Sequence, residues 1–331
     1  MDENRGLLDL IIARIPGLSP AERIKLCEKF ENEGEIAVLS KKDIDKITGH
    51  HESINARISW SMDQVRFLAG KDEKAARLRD MSHVSWTSAA YPPLLREIFD
   101  PPVLLFYRGT LPGPDRPLAA VVGTRHPSAG ALAQAYDIGR SLGALGIPVV
   151  SGLALGIDAM AHRGSLEGGG KTVAVLGSGC DEVYPASNRA LARRILENGG
   201  LLLSEYPPGT GPRKWHFPAR NRIIAGLCRG VLVVEAPVSS GALITARFAL
   251  EQNRDLWVAS SGAAASPFGE GTAHLAAEGA RVIHTAEEIL EDWNLERRQD
   301  PVDRNGKAER TGTAEGCFLA ASLADSLDIE L

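Results

Sequence analysis

Between Val103 and about His284 the chain repeats one pattern: a short continuous apolar run, a Gly- or Ser-rich loop, then a helical stretch. The runs are VLLFY, LAAVVG, IPVVS, TVAVLG, LLLS, GVLVVEA, LWVA and ARVIH. A run that is apolar throughout, rather than at alternate positions, suits a strand buried on both faces, as in a mostly parallel sheet. Helical patterns fall between the runs, at about 130–145, 156–168, 188–198, 219–228, 241–252 and 271–279. Repeated βα units of this kind imply an α/β fold with a Rossmann-like, doubly wound, mostly parallel sheet.

The flanks differ in kind. Residues 5 to 69 read as short amphipathic helices: LLDLIIARI, then PGLSPAERIKLCEKF with Ser19 as N-cap and Pro20 in the first turn, then SKKDIDKI and INARISWSMDQVRFLA. After the charged stretch KDEKAARLRD, the prolines Pro92, Pro93, Pro101 and Pro102 mark a junction. From about Arg297 the sequence is polar and turn-rich, with a brief apolar stretch CFLAASLADSL. The expected organisation is a helical domain over 1–75, an α/β domain over 76–296 and a flexible tail over 297–331.

Composition narrows the function. With 331 residues, 44% hydrophobic and 24% charged, the chain has enough apolar content for a full core. No run reaches the ~18 apolar residues of a membrane helix and MDENRGLLDL lacks a signal pattern, so no membrane association and a cytoplasmic location are expected. The cysteines Cys27, Cys180, Cys228 and Cys317 form no CxxC pair, which argues against a zinc site or disulfide framework. The net charge of −5 restricts any nucleic-acid site to a local basic patch, because affinity for the backbone comes from Lys and Arg neutralising phosphates.

In a doubly wound sheet, ligands bind beyond the carboxyl ends of the strands. The run LAAVVG ends in Gly123, Thr124 and Arg125, with Ser128 placed to cap a helix. Backbone N–H groups at a helix start beside a guanidinium make an anion site. The next loop runs from Ser151 and Gly152 to Gly156, others hold Ser178 with Gly179 and Ser240 with Gly241, and turn geometry alone would also account for such residues. The segment Arg213, Lys214, Trp215, His216, Phe217, Pro218, Ala219, Arg220, Asn221, Arg222 combines cations and aromatics, the mixture that phosphate contact and base stacking require. Trp215 and Phe217 could equally be anchors that bury a loop.

Three further patterns carry chemistry-bearing residues. Asp158 and His162, four apart on one helix face, could form a dyad or metal site, but no third ligand is apparent and capping with core hydrogen bonding accounts for them. GGGKT at 168–172 resembles a phosphate-binding loop, but Ser165 stands where the first Gly belongs and a strand follows. Gly177, Ser178, Gly179 continues to Glu182, where a dinucleotide fingerprint needs its third Gly. No catalytic residue, metal or cofactor is therefore assigned.

Taken in order, VVGTRHPSAGA, SGLALGIDAMAH, TVAVLGSGCDEVYPASN, LLLSEYPPGT, FPARNRIIAGL and VVEAPVSSGALITARFALEQ resemble the DNA-processing protein A (DprA, also called Smf) family over about 118 to 283. The helical N-terminus resembles that family's sterile-alpha-motif-like, helix-hairpin-helix-related domain. The resemblance implies a non-enzymatic homodimer, without cofactor, that binds single-stranded DNA and helps load a RecA-type recombinase in natural transformation and recombination. It places the DNA site on Gly123, Thr124 and Arg125, on Ser151 and Gly152, on Phe217, Arg220, Asn221 and Arg222, on Ser240 and Gly241, and on Lys171 before TVAVLG. This chain departs from the family at Ala259–Gly262 (ASSG for Val-Pro-Gly) and in GTAHL, where Ala273 replaces Asn; many relatives also carry a C-terminal winged helix, for which the stretch after Glu296 is too short. Rival expectations are a nucleotide-binding protein or nucleotide N-glycosidase-type hydrolase, whose carboxylate would be Glu235 or Glu251, and a pure interaction protein.

Overall fold

The structure, a computed structural model, describes residues 3–49, 59–113, 116–263 and 268–295. Five helices come first: α1 (Glu3–Arg14), α2 (Pro20–Lys29), α3 (Glu33–Ala37), α4 (Lys41–Thr48) and α5 (Met62–Leu78). Their starts are written locally. Ser19, Ser40 and Ser61 each open a capping box, with the third helical residue (Glu22, Asp43 or Gln64) returning a side-chain bond to the cap. The stretch LLDLIIA of α1 is apolar at all positions but Asp9, and Leu8, Leu10, Ile11 and Ile12 are buried, as is Ile15 just beyond the helix. Such a helix must be covered on every side, and α1 lies between the other helices and the sheet, sharing a core with Leu104, Phe106 and Leu202. The Arg23 guanidinium donates to the Ile12 and Ala13 carbonyls (2.6 Å each), satisfying acceptors at the end of α1.

The sheet contains β1 (Ser82–Ser85), β2 (Leu104–Gly109), β3 (Ala119–Val122), β4 (Val149–Ser151), β5 (Thr172–Val175), β6 (Leu201–Ser204), β7 (Gly230–Val233), β8 (Asp255–Ala259) and β9 (Arg281–Ile283). Its order is β1-β2-β6-β5-β4-β3-β7-β8-β9. The strands from β6 to β9 run parallel, while β1–β2 and β2–β6 are antiparallel. Helices alternate with the strands: α6 (Pro93–Arg96), α7 (Ala129–Ala144), α8 (Ile157–Glu167), α9 (Arg189–Glu197), α10 (His216–Leu227), α11 (Gly241–Glu251), α12 (Ser260–Ala263), α13 (Glu270–Ala277) and α14 (Glu287–Asp292).

Successive strand residues face opposite sides. Ala120, Val122, Val173, Val175, Val231 and Val233 therefore pack on α10 and α11, while Ala119, Val121, Val149, Leu232 and Val234 pack on α7, α8 and α14. The strand order reverses at β3 and β7, paired from Ala119↔Gly230 to Val122↔Val233, and this reversal opens the crevice in which the site lies.

The doubly wound α/β expectation holds, and the eight apolar runs are β2 to β9. Sequence reading did not anticipate β1, whose SHVS carries a single apolar residue, because an antiparallel edge strand needs no continuous apolar run. Helix α5 continues through KDEKAARL across the expected boundary at 75, and the helix expected from Ile54 begins at Met62, residues 54–58 lying outside the described residues. The tail expected over 297–331 also lies outside them. No helix among the described residues is long and apolar enough to cross a membrane.

Candidate nucleic-acid interface

The floor of the crevice is the end of β3. Gly123 is tightly enclosed: a Cβ there would lie 2.5 Å from Ile157 Cγ1 and 2.9 Å from the Glu235 carbonyl. Thr124 N–H donates to the Glu235 carbonyl (2.7 Å), joining β3 to the end of β7 across the strand-order reversal. The buried Glu235 carboxylate accepts from Ser128 N (2.7 Å) and Ser128 Oγ (2.9 Å), while Ser128 Oγ caps α7 at Ala131 N. These contacts present Arg125 and His126 outward, and both are exposed.

The loop from Ser151 to Gly156 is held from beneath. Ser151 Oγ donates to the Val121 carbonyl (2.6 Å), and Asp158 Oδ2 accepts from Gly152 N (3.1 Å) and Ala154 N (3.3 Å). Asn188 Nδ2 donates to the Leu153 and Ala154 carbonyls. Leu153 (φ 59°) and Gly156 (φ 74°) take left-handed conformations to make the turn.

Arg220, reaching in from α10, is 6% exposed and donates to the Gly152 carbonyl (2.9 Å) and the Val175 carbonyl. A Cβ on Gly152 would lie 2.6 Å from Arg220 Nη1 and nearer still to Nη2, so the guanidinium can insert here only over a glycine. Burial lowers the Arg220 pKa to about 10, against the raising effect of Asp158. Burial likewise raises the Asp158 carboxyl, opposed by Arg220 and by its hydrogen bonds. His162, on the same helix face, is fully buried with Nδ1 2.7 Å from Thr172 Oγ1, and burial lowers its pKa to about 3. The Asp158 and His162 side chains thus serve loop capping and the core.

The outer wall is aromatic and cationic. Phe217, half-buried on α10, packs over Gly177, where a Cβ would approach its ring to 2.9 Å. Tyr184 lies 5.6 Å from the Phe217 ring, and the Arg125 guanidinium stands over the same ring at 5.9 Å. Beside them His216 stacks on Tyr206 at 3.8 Å, and the exposed Trp215 carries the Arg213 guanidinium at 5.6 Å. On the far side of the crevice Ser240 Oγ caps α11 at Ala242 N, and Asn221 Nδ2 donates to the Gly241 carbonyl (3.1 Å). A Cβ on Gly241 would meet nothing within 4 Å, so the α11 start is open.

The residues singled out in the sequence thus fall into distinct groups. Gly123, Thr124, Arg125, Ser151, Gly152, Phe217, Arg220, Asn221, Ser240 and Gly241 converge on the carboxyl ends of β3, β4, β5 and β7. Of these, Ser151, Gly152, Arg220 and Asn221 are buried and already bonded, so they shape the crevice, whereas Arg125, Phe217, Ser240 and Gly241 face its mouth. Arg222 is buried and paired with Asp100 and Glu205 at 2.8 Å each. Burial opposes its charge, but the two carboxylates outweigh that and raise its pKa. Lys171 is exposed at the start of β5, on the opposite rim of the sheet. Sequence reading missed Glu235 as the link between β7 and α7, Asn188 as the loop clamp and Tyr184 as the partner of Phe217. Only Tyr184 had a visible signal, an aromatic in the loop after a strand end.

The sequence profile of DNA recombination-mediator protein A matches residues 82–294. The chain is 46% identical over 205 residues to DNA processing protein DprA of Streptococcus pneumoniae, covering 62% of this chain and 72% of that protein. It is 41% identical over 244 residues to DNA processing protein DprA of Bacillus subtilis, covering 70% and 81%. The X-ray structure of the Streptococcus pneumoniae protein superposes with a TM-score of 0.72 at 36% identity, over 87% of this chain and 97% of that one. DNA processing protein A from Helicobacter pylori, described for its single-stranded DNA binding mode, superposes with a TM-score of 0.58 at 29% identity, over 65% and 95%. The chain belongs to the DNA recombination-mediator protein A family.

Proposed function

We propose that this chain binds single-stranded DNA in the crevice, works as a homodimer without catalysing a reaction on the strand, and passes it to a RecA-type recombinase in recombination or natural transformation. The observation that carries the reading is the Arg125 guanidinium held over the half-buried Phe217 ring at the carboxyl ends of the strands. That pair offers a phosphate contact and a stacking face within one nucleotide's reach. Family membership and the single-stranded DNA binding of the Helicobacter pylori relative support it. At the open start of α11 the backbone N–H offered to a phosphate is that of Gly241, since Ser240 N–H donates to the Pro237 carbonyl and Ala242 N–H to Ser240 Oγ.

The buried residues enter as shaping residues. Arg220 fixes the Ser151–Gly156 loop, and Asn221 ties α10 to α11. Against the hydrolase alternative, Glu235, the carboxylate it would use at the strand-order reversal, is buried and accepts from Ser128 N and Ser128 Oγ on its two oxygens.

Oligo-dT titration at two salt concentrations tests the reading. Phe217→Ala should weaken binding roughly tenfold, as loss of one stacked base requires, and Arg125→Ala should reduce the salt slope by about 0.7 unit, the share of one single-strand phosphate contact. Wild-type affinity and slope in both variants would remove the crevice as the DNA site. For handover, wild-type protein should speed formation of a recombinase filament on oligo-dT and Arg125→Ala should not; equal rates with and without the protein would end that part of the proposal.

A further inference from the structure

Helix α9 carries a cationic face to which the crevice assigns no role. Its sequence RALARRILE buries Leu191, Ala192 and Ile195 and exposes Arg189, Arg193 and Arg194. Among the described residues, none of these three arginines has a carboxylate within 4.0 Å, although exposed arginines elsewhere do pair, as in Arg66–Glu33, Arg79–Asp181 and Arg247–Glu251. Part of this arrangement works against the helix. Arg189 stands at the N-terminal end, where the helix dipole repels a cation, and Arg189 with Arg193 forms a like-charge pair four residues apart. Of the three, only Arg194, in the last turn, gains from the dipole, so helix stability does not account for Arg189 in a chain of net charge −5.

The position of α9 suggests what it meets. The helix starts one residue after Asn188, which clamps the Leu153 and Ala154 carbonyls of the crevice loop, and five residues after Tyr184, which packs on Phe217. It then runs back along the sheet for about 13 Å, nine residues at ~1.5 Å each. It ends beside Gly199, where Lys171 Cε lies 3.7 Å from the place a Cβ would occupy. Arg189, Arg193, Arg194 and Lys171 therefore line a path from the crevice mouth to the opposite rim of the sheet, with Glu197 as the acidic residue at the lower end of the helix.

We infer that α9, with Lys171 at its far end, is an outer track that holds the sugar-phosphate backbone of single-stranded DNA leaving the crevice. The inference rests on the crevice reading and extends it. The track makes charge contacts alone, so it adds affinity and salt dependence but no sequence preference.

The test compares oligo-dT of about six nucleotides, enough for a local site, with oligo-dT of about twenty. A triple variant Arg189→Gln, Arg193→Gln, Arg194→Gln should bind the short oligomer like wild type. It should bind the long one roughly tenfold more weakly, with a salt slope lower by about two units, near 0.7 per lost single-strand contact. The triple Arg→Lys variant should recover most of the slope, and the melting temperature of the Gln variant should not fall. Unchanged affinity and slope for the long oligomer overturn the track while leaving the crevice intact. Long-oligomer binding that survives Arg125→Ala but is lost in the Gln variant instead overturns the crevice reading and keeps α9 as a site. A wild-type protein that binds neither oligomer overturns both.

Discussion

Two arginines that look alike in the sequence have different physical roles. Arg125 is exposed, with no carboxylate within 4.0 Å among the described residues, so Arg125→Ala should change stability by no more than about 0.5 kcal/mol while weakening DNA binding. Arg220 is buried, compensates Asp158 and satisfies two carbonyls, so Arg220→Ala should destabilise by about 3 kcal/mol. Urea unfolding of the two variants checks the contrast, and equal losses would refute it. His162 supplies a pH-dependent term. Its folded pKa, lowered to about 3 from the usual 6.5, means the unfolded chain takes up a proton that the folded one refuses. Its contribution is complete above pH 6.5 and is lost as pH falls, by about 1.4 kcal/mol per unit below that value. His162→Leu should flatten the fall in stability between pH 6.5 and 5 relative to wild type; parallel curves would show that the group does not titrate this way.

At the scale of elements, the crevice depends on a loop whose last turn position is built for glycine. Gly156 combines a φ of 74° with an approach that would leave a Cβ 2.5 Å from the Thr124 carbonyl. Gly156→Ala should therefore cost about 1–3 kcal/mol and, where the protein still folds, reduce affinity for oligo-dT by loosening the Ser151–Gly156 loop. A variant with wild-type stability and affinity would show that the turn tolerates a side chain. Helix starts show the opposite situation, in which local sequence suffices. Ser19, Ser40 and Ser61 find their partners three residues away, and their capping boxes follow from spacing alone. Ser128 needs both kinds of partner, capping Ala131 nearby while bonding Glu235 from 107 positions along the chain.

For the whole molecule, the decisive feature is that the helical N-terminal segment and the sheet share a core. Leu10 and Ile11 on α1 belong to the same buried cluster as Phe106 and Leu202, and Arg79 at the end of α5 pairs with Asp181 beyond β5 at 2.8 Å. The folded part should accordingly lose structure in one transition, with far-UV circular dichroism and tryptophan fluorescence coincident. Leu10→Ala should lower that midpoint through a loss of about 2–5 kcal/mol. Two separated transitions, only one of them shifted by Leu10→Ala, would show that the segments fold independently.

The sequence by itself determined the α/β class, the positions of β2 to β9 and the chain order of the crevice loops, because continuous apolar runs and glycine-rich strand ends are local patterns. It could not reveal β1, which is held by pairing rather than by apolar content, nor the extension of α5. At the site it supplied the residue types but not their exposure. Arg125, Arg220 and Arg222 are equally cationic in one dimension. Only the packing of α10 against the sheet leaves Arg125 over Phe217, draws Arg220 beneath the Ser151–Gly156 loop and closes Arg222 between Asp100 and Glu205. The physical reason is that a guanidinium's role depends on which carbonyls, carboxylates and solvent it faces, and those partners come from strands and helices up to 122 residues away.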